Sequence, residues 1–485
     1  MAKADPRDAR IAELERENAE LRAINAAQAA RILELEARIA ELEALVRELM
    51  ARLSGTSRNT HRPPSSDPPG MPPRTGKRGK SGRKRGGQPG HDGAKRELLP
   101  PEQVDQITDL IPESCEHCGR KLRGRDPRPL RSQVTELPRI KPIVEELRQH
   151  ALRCHHCEGV TRAPLPAHVV GAFGPRLVSL IVYMTGGLRL SKRVVARYLS
   201  DVLGVSIADG TVCKVEQRAL QALAPAVVEA RAAVRSAKAV HADETGWRED
   251  KKRAWMWIFV TRVVSLFVIA RSRGRKVLQQ TLEGFKGKLT SDRWSPYTWV
   301  DIARRQLCWS HIARDFQWML DHGTKVDLPH AQVLVDGTNQ LFRWWHKLRD
   351  GAITRRGFRR CMTPLRERME EALAALAEHG SPKVAGKADE IWKLRQGLWT
   401  FVEHEDLEPT NNPAERQLRH AVIWRKSSYG TDSPAGSRFV EAVLTVVMTA
   451  RQQGRNALEL LNEYVYASFY KLAPPRLVPE SCDQA

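Results

Sequence analysis

Three short segments carry acids in settings suited to metal chemistry. They are Val240-His241-Ala242-Asp243-Glu244-Thr245-Gly246-Trp247, Leu289-Thr290-Ser291-Asp292-Arg293-Trp294-Ser295-Pro296-Tyr297 and Asn411-Asn412-Pro413-Ala414-Glu415-Arg416-Gln417-Leu418-Arg419. In the first two, an acid follows an apolar run that reads as a strand. In the third, it sits in the first turn of a helix. Acids at strand ends of an α/β sheet project into the crevice where sites form. Three carboxylates converging there suit two magnesium ions, and such a pair activates a water or a hydroxyl for in-line phosphoryl transfer. A plainer reading stands beside this one. An aspartate at a strand end also starts turns. Glu415 also has a capping explanation, with Asn412 as N-cap, Pro413 at N1, Glu415 as the capping-box partner and Arg419 one turn on.

A second constellation is two Cys-x-x-Cys turns, Cys115-Glu116-His117-Cys118 and Cys154-His155-His156-Cys157, separated by 35 residues. Four thiolates on two knuckles suit one tetrahedral structural zinc. A redox pair or four ordinary cysteines are the alternatives, and His117, His155 and His156 read as bystanders. Gln133 to Glu136 and Ile140 to Glu146 read as short strands between the pairs, giving a zinc-ribbon-like module over 97–165.

The elements that must position these residues follow from pattern. Apolar residues make up 41% and charged residues 28%, which supports a buried core and excludes a wholly disordered chain. Lys and Arg number 79 against 57 acids, a formal net charge of +22. Such a balance points to a polyanion, most often nucleic acid. No stretch is long and apolar enough to span a bilayer. The opening Met1-Ala2-Lys3-Ala4-Asp5 does not resemble a signal peptide, and scattered cysteines do not suit a secreted disulfide framework. The expectation is an intracellular protein.

Residues 9–53 carry a heptad repeat. Position a falls on Ile11, Asn18, Asn25, Ile32, Ile39, Val46 and Leu53, and position d on Leu14, Leu21, Gln28, Leu35, Leu42 and Leu49. This predicts a coiled coil and self-association as at least a dimer. Residues 54–96, with 16 Gly or Pro among 43 and eleven Lys or Arg against two acids, read as a disordered basic linker able to follow phosphates. Residues 172–223 read as a helix-turn-helix. Its helices run from Gly174-Pro175 to Leu188, from Lys192 to Leu203, and from a Ser206-x-x-Asp209 cap to Leu223, just before Pro225. Asp209, Thr211, Lys214, Gln217 and Arg218 fall on or near the exposed face of the last helix. Residues 237–325 alternate strands and helices, with strands at 237–242, 255–260, 263–269, 287–291 and 306–309, which implies an α/β sheet. Residues 326–405 are helical and look inserted. Helices at 411–424 and 435–468 close the core, and 469–485 form a tail.

The chain resembles the insertion sequence 66 family of transposases, a branch of the Asp-Asp-Glu transposases. The resemblance rests on Pro63-Pro64-Ser65-Ser66-Asp67, Gly86-Gly87-Gln88-Pro89-Gly90-His91, the cysteine pairs, and the His-Ala-Asp-Glu-Thr and Ser-Asp-Arg-Trp-Ser-Pro-Tyr segments. Cys308-Trp309-Ser310-His311, Asn-Asn-Pro-Ala-Glu-Arg and Arg425-Lys426-Ser427 complete the set. It runs from the coiled coil to about residue 465. Leu472-Ala473-Pro474-Pro475 departs from the family pattern. The resemblance implies a ribonuclease-H-like catalytic core over 237–325 and 406–468, with an all-helical insertion before the last acid. It implies Asp243, Asp292 and Glu415 as catalytic magnesium ligands. Glu244 is expected on the opposite strand face. Cys308 and His311 match a Cys-x-x-His signature of related transposases and are assigned an accessory role, against the plainer reading of a buried thiol and a helix-start histidine. Lys214, Arg218, Arg416, Arg425 and Lys426 are expected on DNA. The implied activity is binding of the element's inverted-repeat ends, then strand cleavage and strand transfer, in the bacterial cytoplasm at the nucleoid and with small companion proteins of the same element as further partners. The alternative is a non-catalytic DNA-binding regulator or a decayed transposase.

Overall fold

The computed structural model describes residues 6–53 and 97–479. The expected basic linker at 54–96 lies outside the described residues, as do residues 1–5 and 480–485. Helix α1, Pro6–Leu53, is 48 residues long. Its heptad residues Leu14, Leu21, Ile32, Leu35, Ile39, Leu42 and Val46 are all exposed, so the apolar seam is uncovered within the single chain.

The chain divides into two units. One comprises Pro72–Glu146 and Arg197–Ser206, and the other holds the remainder. Of the smaller unit, residues 97–146 hold, as regular elements, only a 3-10 turn at Pro101–Gln103, while Arg197–Leu203 belong to the helix Lys192–Leu203. The strands expected at 133–136 and 140–146 do not form. Pro142 removes a ladder donor from the second, and Val134, Ile143 and Val144 are almost fully exposed, so their alternation has no partner surface. Short antiparallel strands instead flank the second cysteine pair: β1, Ala151–Arg153, against β2, Val160–Arg162.

In the larger unit, α2 (Pro175–Val182) runs into a π-helical turn at Tyr183–Gly187. That turn packs hard against a later helix: a Cβ on Gly186 would lie 2.3 Å from Val443 Cγ2. Helix α3, Lys192–Leu203, is followed by Gly204 at φ 66°. Helix α4 spans Asp209–Ser236. Two expectations change there. The N-cap is Ala208 with no side-chain bond, rather than the Ser206 box, and the helix continues through Pro225. The buried stripe Ala222, Leu223, Ala226, Ala230 and Val234 holds both halves to one surface, which offsets the hydrogen bond that proline removes.

The five-stranded sheet has β3 (Ala239–Glu249) at its centre. On one side lie β4 (Lys252–Val260) and β5 (Ser265–Ala270), antiparallel. After α5 (Arg275–Thr281), β6 (Lys288–Ser291) and β7 (Arg305–Leu307) lie on the other side, parallel, in the order β5-β4-β3-β6-β7. Asp250 and Lys251, both at positive φ, make the two-residue turn that sets the β3–β4 register.

Helices α6 (Trp309–His322), α7 (Leu328–Arg349), α8 (Arg355–His379), α9 (Pro382–Lys393) and α10 (Thr400–Glu403) make up the helical stretch that follows the sheet. They share an apolar core in which Trp309, Phe316, Trp345, Phe358, Trp399 and Phe401 meet mostly edge to face. Helix α11 (Asn412–Ser428) and then α12 (Pro434–Gln452) and α13 (Ala457–Tyr470) return to the sheet. The last two were expected as one helix. Gly454 at φ 70° breaks it, and Asn456 Oδ1 caps α13 by accepting from Leu458 and Glu459 N–H.

Both sheet edges are sealed by side chains. On β5, the outward N–H groups of Ser265, Phe267 and Ile269 donate to Thr449 Oγ1, Thr445 Oγ1 and Glu441 Oε1 of α12. On β7, Thr400 Oγ1 donates to Arg305 O, and Gln306 bridges to Phe401 N and Leu398 O. An open strand edge would otherwise invite pairing with another chain. Thr445→Val would leave the buried Phe267 N–H unpaired and lower unfolding stability by about 1–3 kcal/mol in urea titration. Burial pushes the Glu441 carboxyl from 4.5 up to about 7, against the pull of Arg438 and the Ile269 N–H. The folded state therefore holds this proton longer than the unfolded chain, and stability falls as pH rises from 4.5 to about 7. Thermal melts across that window should show Glu441→Gln gaining on the parent as pH rises.

Candidate active site

Register brings the first two acids together. The parallel β3–β6 ladder pairs Ala239 with Lys288, Val240 with Leu289 and His241 with Thr290. Two residues further along each strand lie Asp243 and Asp292, on the same face by the two-residue alternation of strands. Likewise β6–β7 pairs Ser291 with Leu307, and one step on is Cys308, whose N–H donates to Ser291 O at 2.9 Å. Here β6 and β7 stop while β3 continues against β4 alone, so the acids stand at the mouth of the parallel half of the sheet.

Asn411 fixes the third acid. Its Nδ2 donates to Ala242 O at 2.8 Å, next to Asp243, and its backbone N–H donates to Cys308 Sγ at 3.1 Å. Trp309 N–H donates to Pro409 O at 2.9 Å. These bonds pin the start of α11 across β3 and β7. Asn411, not Asn412, is the N-cap, and its side chain makes no capping bond. The capping-box account of Glu415 therefore fails: Glu415 Oε1 is buried and has no hydrogen-bond partner.

The charge balance at this point is unfavourable to acids alone. Burial pushes the Asp243 carboxyl well above the usual carboxylate range, and the carboxylates of Glu244, Asp292 and Glu415 push it further. Only the Glu244 N–H, at 2.8 Å, pulls the other way. Glu244 lies closer to the site than the opposite strand face would suggest. Its buried carboxylate accepts from Arg273 Nη2 at 2.6 Å and from Tyr297 Oη at 2.6 Å. It is raised by burial and then by Asp292. Arg273 itself lies over the Trp294 ring at 4.1 Å. Arg305 is buried beside the second acid, with Nη2 donating to Asp292 O at 3.1 Å. Burial, with Arg416 nearby, lowers His241 to about 4, so it is neutral at pH 7. A divalent cation fits this donor set. Asp292 and Glu415 both act electrostatically on Asp243, one buried Glu415 oxygen has no hydrogen-bond partner, and oxygen donors of this kind suit magnesium. Among the described residues, however, the three carboxylates do not by themselves form a group with ligand atoms within 4.8 Å of one another.

A further group lies beside the triad. One ligand atom from each of Cys308, His311 and Glu415 falls within 4.8 Å of the others, and His311 Nδ1 is 3.9 Å from Glu415 Oε1. Burial pushes the Cys308 thiol up to about 11.

The residues expected on DNA fall into two groups. Lys214, Arg416 and Lys426 are exposed. Arg218 donates to Val170 O at 2.7 Å and lies 5.9 Å from the Phe469 ring. Arg425 donates from Nη1 to Gly246 O and Thr245 Oγ1, which ties α11 to β3. Each cysteine turn has the same backbone pattern. Cys115 N–H donates to Arg120 O while Cys115 O accepts from Gly119 N–H, and Cys154 N–H donates to Gly159 O while Cys154 O accepts from Glu158 N–H. Backbone N–H groups of His117 and Cys118 lower the Cys115 thiol, and those of Cys157 and His156 lower Cys154.

Pattern reading missed Asn411, Arg273, Arg305 and the Arg293–Asp315–Lys387 link. Arg293 and Lys387 bond the buried Asp315 at 2.7 and 2.9 Å, which ties the residue after Asp292 to α6 and α9. Tyr297 and Arg293 stand in the quoted Asp292 segment, so their proximity was visible but their partners were not.

A mixed sheet with two acids at adjacent parallel strand ends, and a third on a helix beyond a helical stretch, defines an α/β protein with an acidic centre. Residues 170–438 match the model of the transposase IS66 family, and residues 2–97 match that of a family of unknown function. The chain belongs to the transposase IS66 family, and the matched region contains all three acids. Membership implies DNA as the partner. Two proteins of Sinorhizobium fredii (strain NBRC 101917 / NGR234), the uncharacterized proteins y4qI and y4hP, are each 24% identical to it. The similarity spans 75% and 72% of this chain and 72% and 70% of theirs. Among the described residues, no helix is long and apolar enough to cross a membrane.

Because Asn411 holds the third acid, Asn411→Ala should lower unfolding stability by about 1–3 kcal/mol through the lost bond to the buried Ala242 carbonyl. Denaturant titration checks this, and Asn411→Asp should not restore it, since a carboxylate cannot donate.

Proposed function

We propose that the protein is an Asp-Asp-Glu transposase with a ribonuclease-H-like core, which binds the inverted-repeat ends of its element, cleaves a strand there and joins it to target DNA. The observation that carries this reading is the electrostatic action of Asp292 and Glu415 on the buried Asp243, with no cation among the groups that shift it. The strand order β5-β4-β3-β6-β7, three antiparallel then two parallel, supports the ribonuclease-H-like assignment.

In this reading Asp243, Asp292 and Glu415 hold two magnesium ions. The ions would supply a lowered barrier to deprotonating the attacking water or 3′-hydroxyl, and charge stabilisation at the leaving oxygen. The chain's own residues do the rest. Asn411 and Arg425 keep α11 against β3. Arg273 and Tyr297 hold Glu244 in place behind the acids. Arg293 anchors the segment after Asp292 to the helices. Arg416 and Lys426, exposed on α11, are read as contacts to backbone phosphates. Lys214 and Arg218 on α4 are read as contacts of a helix-turn-helix with the element ends. The matching knuckle hydrogen bonding of each cysteine turn supports Cys115 with Cys118, and Cys154 with Cys157, each as a zinc-knuckle pair. The exposed apolar seam of α1 supports pairing of two chains as a coiled coil.

The test is a cleavage assay on DNA carrying the element's own ends, with magnesium or EDTA. Asp243→Asn, Asp292→Asn and Glu415→Gln should each reduce 3′-hydroxyl formation by at least about a thousandfold, a loss of about 4 kcal/mol of barrier lowering. Each should leave DNA retention in a gel shift within about threefold of wild type. Binding without cleavage by the wild-type chain, with companion proteins supplied, would leave only the regulator reading.

A further inference from the structure

Glu415 faces two different donor sets. Glu415 acts electrostatically on Asp243, which with Asp292 is a hard oxygen donor. The Glu415 carboxylate also lies within 4.8 Å of ligand atoms of Cys308, a soft sulfur donor, and of His311, an imidazole of the kind that suits zinc. We propose that Cys308, His311 and Glu415 form a second cation site, selective for zinc over magnesium, and that zinc bound there withdraws Glu415 from the catalytic acids.

Geometry carries the binding half. Cys308 caps α6 and His311 lies three residues on, which puts both on one face of the first turn. One ligand atom of each residue lies within 4.8 Å of the others. The His311 Nδ1 to Glu415 Oε1 distance is 3.9 Å, too long for a hydrogen bond. Two nitrogen or oxygen ligands on a tetrahedral zinc stand about 3.4 Å apart, and a sulfur and a nitrogen about 3.6 Å, given the usual bond lengths. A contraction of a few tenths of an ångström to about 1 Å would complete the set. Glu415 Oε1 is buried and unpartnered, so it is available for one side or the other. Three protein ligands leave a fourth position open. Zinc would displace the thiol proton to solvent and leave a thiolate–zinc bond, so binding strengthens as pH rises. Magnesium, which requires oxygen ligands in near-octahedral array, has no use for the thiol.

The backbone favours the arrangement. Asn411 N–H donates to Cys308 Sγ, an interaction that a thiolate accepts more strongly than a thiol. The same Asn411 starts the helix that carries Glu415, so the soft thiol and the shared acid are held by one residue. The competition half rests on the transposase reading above. The binding half does not.

The test uses the full chain. Cobalt is the spectroscopic probe, read by the thiolate-to-cobalt charge-transfer band, and zinc content is measured by elemental analysis at saturating magnesium. Cys308→Ser and His311→Gln are compared with wild type. Because Cys308 is buried, His311→Gln serves as the variant less exposed to folding defects, and thermal melts confirm that both fold. Both variants should bind one ion fewer per chain, while ions held elsewhere, at the paired cysteines included, remain. Equal zinc content in wild type and the folded variants would overturn the site. In the cleavage assay, the zinc concentration for half-inhibition, each variant measured against its own zinc-free rate, should rise at least about tenfold. Inhibition unchanged in His311→Gln would overturn the competition. A wild-type chain that binds the ion but never cleaves would overturn the transposase reading and leave the cation site standing.

Discussion

Crowding several carboxylates in one half-buried place is the constraint on which the rest of this structure depends. Left alone, Asp243 and Glu244, both pushed up by burial and neighbouring carboxylates, would separate or take up protons. The fold prevents the first by fixing each backbone. Two acids are locked in parallel register two residues past the last ladder pair. The third is held by Asn411, which bonds the strand carrying the first acid and the loop after β7. Glu244 has its own neutralising partners in Arg273 and Tyr297, which leaves the triad as the place where a cation is wanted.

The helical stretch between the second and third acids belongs to the same arrangement. It covers the β7 edge through Thr400 and Gln306, and reaches the residue after Asp292 through Asp315, Arg293 and Lys387. Its aromatic core gives those contacts a rigid base. The long sequence separation between Asp292 and Glu415 is thus bridged by packed helices, whose end returns at Pro409 to bond Trp309.

Much of this was legible in the chain, for particular reasons. Strands around Asp243 and Asp292 announce themselves through apolar runs that end in an acid, and the strands and helices of the core fall close to where periodicity puts them. The strand pattern at 133–146 misled because alternation reports a possible face, not a partner for it. Pro225 misled because a helix interrupted by proline survives when both halves bury one stripe. Glu415 illustrates the opposite case. Its local sequence offers a complete capping account, and only the three-dimensional placement of Asn411 removes it. The Arg273, Tyr297 and Asp315 partners were out of reach, since each joins segments that no local spacing relates.

The ladder between α12 and β5 has a consequence of its own. A helix advances about 6.0 Å in four residues, while a strand advances about 6.6–6.8 Å in two. Side chains at every fourth helical position therefore meet every second strand amide almost in step, like the two scales of a vernier. The mismatch grows by less than 1 Å per rung, so three rungs, at Glu441, Thr445 and Thr449, stay within reach of side-chain rotation. A longer run would drift out of phase. The length of the edge strand is thus matched to the length over which a helix can serve it, and a one-residue insertion in α12 would turn the row of acceptors about 100° away from the strand.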